Sequence, residues 1–418
     1  MGDKAAITDS DVIDGINIKY LKFFGLWGVI NDYRTTEKKN SVLKFQVIIT
    51  LLLMVPSIIC QYVGFFVIEV DLQKASILNF HSLPSLQVCC KHLVFWFHLD
   101  RICRLNNLMT KNFLKESIPE FQSEKVISIY RKIIKQTNIF CLVALVVVFT
   151  GLSLIVLNPD VPVDYILYHT GNMFDITTGR FKISTGWYPL PMDKSPWYEI
   201  VLVYEGTLVV WGSLFVLAFI CFYYQILMCL YAHFVVLGSH ISDLNIDSDY
   251  QKNSIEYKKF NLQRYRELYR ILQDHQKLLS YTAELKSVYN PLVTMILGVG
   301  ISVLVLAVFH FMFGQTGDLV FIIRSFCYVL YQSIEVTMFC YGSSFIQTAS
   351  SDLQFAIYSS DWYKADVKFR KAAQMMMIRA KKGETLTAIR MYPVNAETIM
   401  AILQFTYSVA TLMSRFIE

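Results

Sequence analysis

The chain has 418 residues, of which 54% are hydrophobic, and a mean hydropathy of +0.41. This composition is too apolar for an ordinary soluble enzyme and too polar for a bare bundle of membrane helices, so sizeable extramembrane parts are expected. The formal net charge of +5 is less informative than its distribution, because the basic residues are concentrated in a few polar stretches.

The first polar stretch, residues 1–41, lacks the basic start and short apolar core of a cleaved signal peptide. The charged residues Asp3, Lys4, Asp9, Asp11 and Asp14 also argue against a signal peptide. We therefore expect the first membrane span to act as its own insertion signal.

Seven apolar segments follow, and each is long enough for the roughly 20 helical residues that cross a hydrocarbon core. The second is the least apolar, because it contains His81, Lys91 and His92, and the seventh is short and amphipathic. The sequence therefore predicts an all-α membrane protein with seven transmembrane helices. The predicted spans are 42–68, 75–98, 137–157, 199–224, 287–312, 319–347 and 395–414.

The distribution of basic residues predicts the orientation of these spans. Of the 38 Lys and Arg residues, 30 lie in residues 1–41, 99–135, 239–286 and 350–392, while the alternating loops hold almost none. Because short cytoplasmic loops are rich in Lys and Arg, the basic stretches are expected inside. The N-terminus is then cytoplasmic and the C-terminus extracellular, the reverse of rhodopsin-like receptors that couple to G proteins.

The loops between the spans differ in character. The extracellular loop 158–198 holds five of the ten prolines together with several Trp and Tyr residues, which favours a folded cap over a flexible linker. The stretch 239–286 alternates apolar and charged residues at helical spacing, so long helices are expected to extend spans four and five into the cytoplasm. The stretch 350–392 has similar spacing and predicts a helical region beneath the membrane, with a solvated loop as the alternative.

The sequence gives no sign of an enzyme. It contains no GxSxG, no phosphate-binding glycine loop and no HExxH motif, and the cysteines form no CxxC pair. We therefore expect no catalytic residues, no cofactor, no metal and no nucleic-acid partner.

Ionisable residues within spans are costly in lipid, so each is expected to face protein or water. For Glu205 and Glu335 two interpretations stay open: the polar wall of a ligand or ion path, or a carboxylate bonded within the bundle. For His81 and Lys91 the marginal span favours a partly solvated helix face. The five ionisable residues most clearly inside spans are Lys91, Glu205, His310, Arg324 and Glu335.

The outer halves of the spans combine aromatic side chains with small polar ones. Such walls suit a small, mostly hydrophobic ligand, although Tyr and Trp near the membrane boundary are also common interfacial anchors. The candidate ligand-binding residues are Phe80, His81, Phe149, Ser153, Tyr204, Thr207, Leu208, Trp211, Tyr328 and Tyr331.

The last helix, within residues 395–418, carries one polar stripe. Gln404, Ser408, Thr411 and Arg415 recur at spacings of three or four, so they share a face that is expected to meet water or another polar helix. Near its outer end lie Leu412 and Phe416, whose apolar side chains can close a narrow pore by excluding water. An ordinary helix contact through small polar residues is the alternative.

The C-terminal part of the chain resembles the signature of the insect odorant receptor family. The resemblance rests on Cys340-Tyr-Gly-Ser-Ser, Ile357-Tyr-Ser-Ser-Asp-Trp-Tyr363, Lys368-Phe-Arg-Lys371, Met377, Arg379, Tyr392-Pro-Val-Asn-Ala-Glu-Thr398 and Tyr407-Ser-Val-Ala-Thr-Leu412. An outer segment, Gly186-Trp-Tyr-Pro189 through Ser195-Pro-Trp-Tyr-Glu199, is similar to the family's loop before span four.

The resemblance implies an odorant-gated, non-selective cation channel of four subunits in the plasma membrane of an olfactory neuron dendrite. The last helix would line the pore, with Leu412 and Phe416 at an outer gate and Ser408 and Arg415 on the lining side. Residues 351–391 would form the cytoplasmic anchor between subunits. The ligand would be a small, mostly hydrophobic volatile.

The resemblance also implies a choice between two subunit types. The stretch between spans four and five lacks the long insertion of the shared co-receptor, so a tuning subunit that works with co-receptor subunits is expected. The alternatives are a gustatory-type receptor channel for a tastant and, from other classes, a G-protein-coupled receptor or a transporter. The reversed topology argues against the G-protein-coupled receptor, and the lack of inverted repeats argues against the transporter.

Overall fold

The computed structural model describes residues 40–67, 72–109, 113–114, 124–156, 187–191, 194–244, 255–313, 319–389 and 391–414. Residues 1–39 and most of the predicted loop 158–198 lie outside these ranges. The helices of the described parts are α1 Asn40–Val67, α2 Leu72–Phe97, α3 Leu99–Leu105, α4 Glu124–Val156, α5 Trp197–Ser242, α6 Ile255–Phe313, α7 Leu319–Ser359, α8 Val367–Ala380 and α9 Ala396–Ser414. Short 3-10 turns cover Asn106–Met109 and Trp362–Lys364, and the strands β1 Leu386–Ala388 and β2 Tyr392–Val394 form an antiparallel hairpin.

Each predicted span falls on a helix, so the helical fold class is confirmed. Four described helices are long and apolar enough to cross a membrane, over Val47–Gly64, Glu124–Gly151, Trp197–Ser242 and Ile255–Val308. The other three predicted spans coincide with α2, α7 and α9. The count of seven spans and their orientation stay predictions.

Helices α5 and α6 are much longer than a membrane crossing requires. They contain 46 and 59 residues, which at 1.5 Å per residue gives lengths of about 70 and 90 Å. Because a hydrocarbon core is about 30 Å thick, both helices continue well beyond it. Within 239–286 the described residues are helical as far as Ser242 and again from Ile255, and their cytoplasmic position stays a prediction.

The core of the bundle is the contact between α5 and α7, which have the most extensive packing of any two helices described. The rings of Tyr223 and Phe339 stack across it with centroids 4.4 Å apart. At Gly342 a Cβ atom would lie 2.6 Å from Cδ1 of Leu227. Glycine is therefore needed here for the close approach of the two helices.

The segment before α9 is held by hydroxyl groups on α7. The backbone N–H groups of Leu386 and Ala396 donate to Ser343 Oγ and Ser344 Oγ at 2.9 and 2.8 Å. These bonds satisfy backbone donors at the start of the hairpin and of α9. Together with Gly342, the two serines give a physical reason for the Gly-Ser-Ser sequence: the glycine lets α7 approach α5, and the serines fix the entry to α9.

Candidate ligand pocket and pore helix

Three of the predicted ligand-binding residues lie on one face of α5 that packs against α1. Tyr204 donates its hydroxyl to the carbonyl oxygen of Leu53, and Trp211 Nε1 donates to Thr50 Oγ1 at 3.0 Å. Leu208 is buried between them. The structure therefore brings these three residues together, and the polar groups of Tyr204 and Trp211 are engaged by α1.

Other predicted ligand-binding residues lie elsewhere. Thr207 is exposed and donates its hydroxyl to the carbonyl of Val203 at 2.7 Å, and Phe149 on α4 is also exposed. Tyr331 on α7 is half-buried against the core. The structure thus does not bring Thr207 into the stripe formed by Tyr204 and its neighbours. The side chains outside the described part are those of Phe80, His81, Ser153, Tyr328, His310 and Arg324.

The described end of the loop 158–198 is anchored to both α1 and α5. Tyr188 is buried and donates its hydroxyl to Glu205 Oε1 at 2.7 Å, while the N–H of Trp187 donates to the carbonyl of Cys60 at 3.1 Å. The folded cap over 158–198 stays a prediction, and these contacts concern its described end alone. Of the two interpretations of Glu205, the bond from Tyr188 supports the second, a carboxylate bonded within the bundle.

A buried ion pair joins α2 to α7 in the interior of the bundle. Lys91 Nζ donates to Glu335 Oε1, and Gln87 Nε2 donates to Glu335 Oε2 at 2.9 Å. The side chains of Lys91 and Glu335 are both 0% exposed. The prediction of a partly solvated face for Lys91 is therefore wrong, because Glu335 supplies the opposite charge that an ammonium group needs away from water.

Sequence reasoning missed Gln87 and Gln332, which extend this polar cluster. Gln87 is four residues before Lys91 on α2, so their shared helix face was a usable signal. Gln332 precedes Glu335 by three residues on α7, is 1% exposed, and its Nε2 has no hydrogen-bond acceptor in the described structure. Opposite it on α6 lies Gly300, where a Cβ would be 2.9 Å from that nitrogen. Glycine at position 300 therefore leaves the space that the Gln332 amide occupies.

The pore-helix candidate α9 has two distinct faces. Ile402, Thr406 and Ala410 are buried on the side that packs against α6 and α7. Gln404 and Ser408 are exposed on the opposite side, because each lies two residues, or about 200°, beyond a buried position.

Gln404 and Ser408 of the predicted polar stripe therefore face away from α6 and α7, while Thr411 is half-buried. Ser408 Oγ donates to the carbonyl of Gln404, and Thr411 Oγ1 donates to that of Tyr407, each at 2.9 Å. Leu412 is 55% exposed. Arg415 and Phe416 lie outside the described residues.

Metal chemistry finds no support within the described ranges, where no group of three or more His, Cys, Asp and Glu side chains converges. The described cysteines are free thiols.

Comparisons with known proteins agree with this architecture. The family model described as 7tm Odorant receptor matches residues 81–407. Odorant receptor 24a of Drosophila melanogaster is 25% identical over 230 residues, which cover 54% of this chain and 52% of that protein. Odorant receptor 10 of Aedes albopictus is 24% identical over 227 residues, covering 53% and 56%. The chain spans about half the length of the curated relatives it matches.

The fold is similar to that of a solved insect receptor over nearly the whole chain. The olfactory receptor OR5 from Machilis hrabei aligns with a TM-score of 0.75 at 14% identity, covering 95% of this chain and 98% of that one. Its structure in complex with eugenol aligns with the same TM-score at 15% identity, covering 96% and 99%. From the family match over residues 81–407, the chain belongs to the insect odorant receptor family.

Proposed function

We propose that this chain is the odorant-binding subunit of a ligand-gated, non-selective cation channel. It works with co-receptor subunits in a heterotetramer in the plasma membrane, with seven spans, a cytoplasmic N-terminus and an extracellular C-terminus. The observation that carries the proposal is the family match over residues 81–407, which includes most of the described helices.

The two faces of α9 support a pore-lining role. A single chain in lipid would leave the amide of Gln404 facing hydrocarbon, which is unfavourable unless water or another polar helix covers it. A central pore shared by four subunits supplies that water. Leu412, with Phe416, would narrow the outer end and exclude water when closed. Arg415 repels cations, so its effect is weaker where other subunits contribute the remaining pore helices.

A volatile of modest polarity is the ligand that suits the candidate pocket. Its walls are aromatic and apolar, and Gln332 offers a buried donor near Tyr331 to a hydroxyl, ether or carbonyl oxygen. The Machilis hrabei receptor has been solved with eugenol. Eugenol is therefore a rational first probe.

The short connection between α5 and α6 favours a tuning subunit over the co-receptor. Only residues 243–254 separate the two helices. The long insertion of the co-receptor pattern has no room there.

The proposal is tested by expressing the chain with and without a co-receptor and recording currents during application of an odorant panel that includes eugenol. We expect odorant-evoked cation currents that require the co-receptor and persist when G proteins are inhibited. Currents from this chain alone would refute the obligate tuning subunit. Signals abolished by G-protein inhibition would refute the channel.

A matched pair of tyrosines on α7 tests the pocket. Tyr331→Ala should raise the odorant concentration for half-maximal current by about fivefold, since an aromatic contact contributes about 1 kcal/mol. Tyr341→Ala removes an exposed tyrosine ten residues further along the same helix and should leave that concentration unchanged. Equal responses in the two variants would remove Tyr331 from the pocket.

A further inference from the structure

An open cleft lies at the end of the bundle where α8 and the hairpin pack against α6. Its volume is about 700 Å³, within the range of about 300–1,000 Å³ typical of small-molecule sites. Its charged lining residues are Lys286, Arg379, Lys382 and Glu384. The remaining lining residues are Met375, Ile378, Gly383, Thr385 and Thr387.

The charges in this cleft do not cancel. Glu384 is shared by two cations: Lys286 Nζ donates to its Oε2, and Arg379 donates to its Oε1 at 2.5 Å. Burial opposes the ionisation of Glu384, but the hydrogen bonds and charges of both cations outweigh it and lower its pKa. The carboxylate therefore stays charged and fixes the two cations in place, while Lys382 is exposed on the rim. Three positive charges against one negative charge leave an excess of two.

The position of the cleft along α6 places it at the membrane surface. From Pro291 to Phe313 the helix has no Asp, Glu, Lys or Arg, and this stretch is about 33 Å long at 1.5 Å per residue. It therefore matches the hydrocarbon core, which is about 30 Å thick. Lys286 lies just over one turn beyond this stretch, which is the depth of phosphate headgroups. The hairpin reaches the start of this stretch, since the N–H of Ile389, next to β1, donates to Thr294 Oγ1 at 2.8 Å.

We propose that this cleft binds a multiply phosphorylated anion. Clustered Lys and Arg at the cytoplasmic end of membrane helices recognise phosphorylated headgroups, and Arg379 offers the planar donor group that matches phosphate oxygens. The hydroxyls of Thr385 and Thr387 add further polar groups to the lining. Met375 and Ile378 form an apolar wall, which favours the headgroup of a membrane lipid over a fully hydrated ion. In the proposed orientation, this lipid belongs to the inner leaflet.

Direct binding to the purified channel tests the proposal without relying on currents. The full chain, assembled with its co-receptor in detergent, is titrated by microscale thermophoresis with three probes. These are a short-chain phosphatidylinositol bisphosphate, inositol trisphosphate, and a short-chain phosphatidylcholine as the uncharged control. We expect saturable binding of the phosphorylated probes and none of phosphatidylcholine. Binding of the lipid alone identifies a lipid site, and equal binding of inositol trisphosphate identifies a soluble ligand.

Two neighbouring lysines provide a matched pair of variants. Lys382 lines the cleft, whereas Lys381 is equally exposed but does not. Lys382→Glu should weaken binding at least about fivefold, because one basic residue near an anionic headgroup has roughly that effect. Lys381→Glu should change it less than twofold, and Lys382→Ala repeats the test without adding a negative charge.

Three results would overturn the proposal. The first is an absence of saturable binding by both phosphorylated probes. The second is an equal loss in the Lys381 and Lys382 variants, which would indicate diffuse attraction. The third is a Lys382→Glu protein that binds normally but assembles poorly, which would place an acidic segment of a neighbouring subunit in the cleft. Because the readout is binding, none of these results depends on whether the chain conducts.

Discussion

Replacement of Glu335 by glutamine gives the sharpest test of the buried ion pair. The substitution preserves the size of the side chain and its proximity to Gln87, but it leaves the Lys91 ammonium without an opposite charge. Both members of the pair are 0% exposed. Removing one partner of such a pair costs about 3–5 kcal/mol, because the remaining charge stays in a low-dielectric interior.

Two companion variants show how much of the free-energy cost comes from the attraction between Lys91 and Glu335. The free-energy cost of Lys91→Met should lie at the lower end of that range, since Gln87 still donates to the Glu335 carboxylate at 2.9 Å. The double variant Lys91→Met/Glu335→Gln removes both charges, and replacing a buried pair by uncharged groups is often close to neutral. Its cost should therefore fall below about 1.5 kcal/mol. With single variants that each cost about 3 kcal/mol or more, the coupling energy is at least about 4.5 kcal/mol.

The assay is thermal denaturation of the detergent-purified channel, measured as the fraction that remains monodisperse by size-exclusion chromatography after heating. We expect the double variant to melt above both single variants. Asp243→Asn is the matched control, because the Lys125–Asp243 pair also joins two helices but has side chains 56% and 54% exposed. It should cost less than about 1 kcal/mol. A double variant that melts no higher than the less stable single variant would refute the stabilising attraction between Lys91 and Glu335.

Three further predictions follow from other contacts. Gly342→Ala should lower stability by about 1–3 kcal/mol, because the added methyl group overpacks against Leu227. Gly298→Ala is the control, because its methyl group meets no atom within 4 Å and should be neutral or slightly stabilising. Thermal melts measure both effects. Leu412→Ala should raise resting current, and an unchanged basal current would remove it from the gate. Glu384 has a pKa below its ordinary value of 4.5, so its stabilisation is present above that value and is lost as the pH falls through the lowered pKa. Glu384→Gln should therefore lower the free energy of unfolding by about 2 kcal/mol at neutral pH. In acid, the melting temperatures of the variant and of the unsubstituted protein should converge.

Helix positions could be predicted because their cause is local. An apolar run long enough to span a membrane is visible in the sequence, and the predicted last span 395–414 differs from α9 by one residue. The stripe of Gln404 and Ser408 could also be predicted, since helical periodicity decides which residues share a face. The direction that this face takes depends on where α6 and α7 pack, and only the structure shows it.

Pairings between distant segments could not be predicted. Lys91 and Glu335 are separated by 244 residues, and nothing near Lys91 distinguishes an ammonium group in the core from one at a solvated edge. The cleft at Glu384 could not be predicted for the same reason, because Lys286 and Arg379 come from different helices. Within 350–392 the sequence predicted a helical region, with a solvated loop as the alternative, and the hairpin that shapes the cleft is too short to have a periodic signal.

Helix α7 connects the candidate pocket, the buried ion pair and the start of α9. It carries the candidate pocket residue Tyr331, then Glu335 of the buried pair one turn later, then Ser344, which bonds the first residue of α9. These positions span 13 residues, or about 20 Å of continuous helix. A continuous helix transmits a displacement rather than absorbing it, and the Gly342 contact holds α7 closely against α5. A ligand that shifts α7 at Tyr331 would therefore act on the inner end of the pore helix without any separate linker.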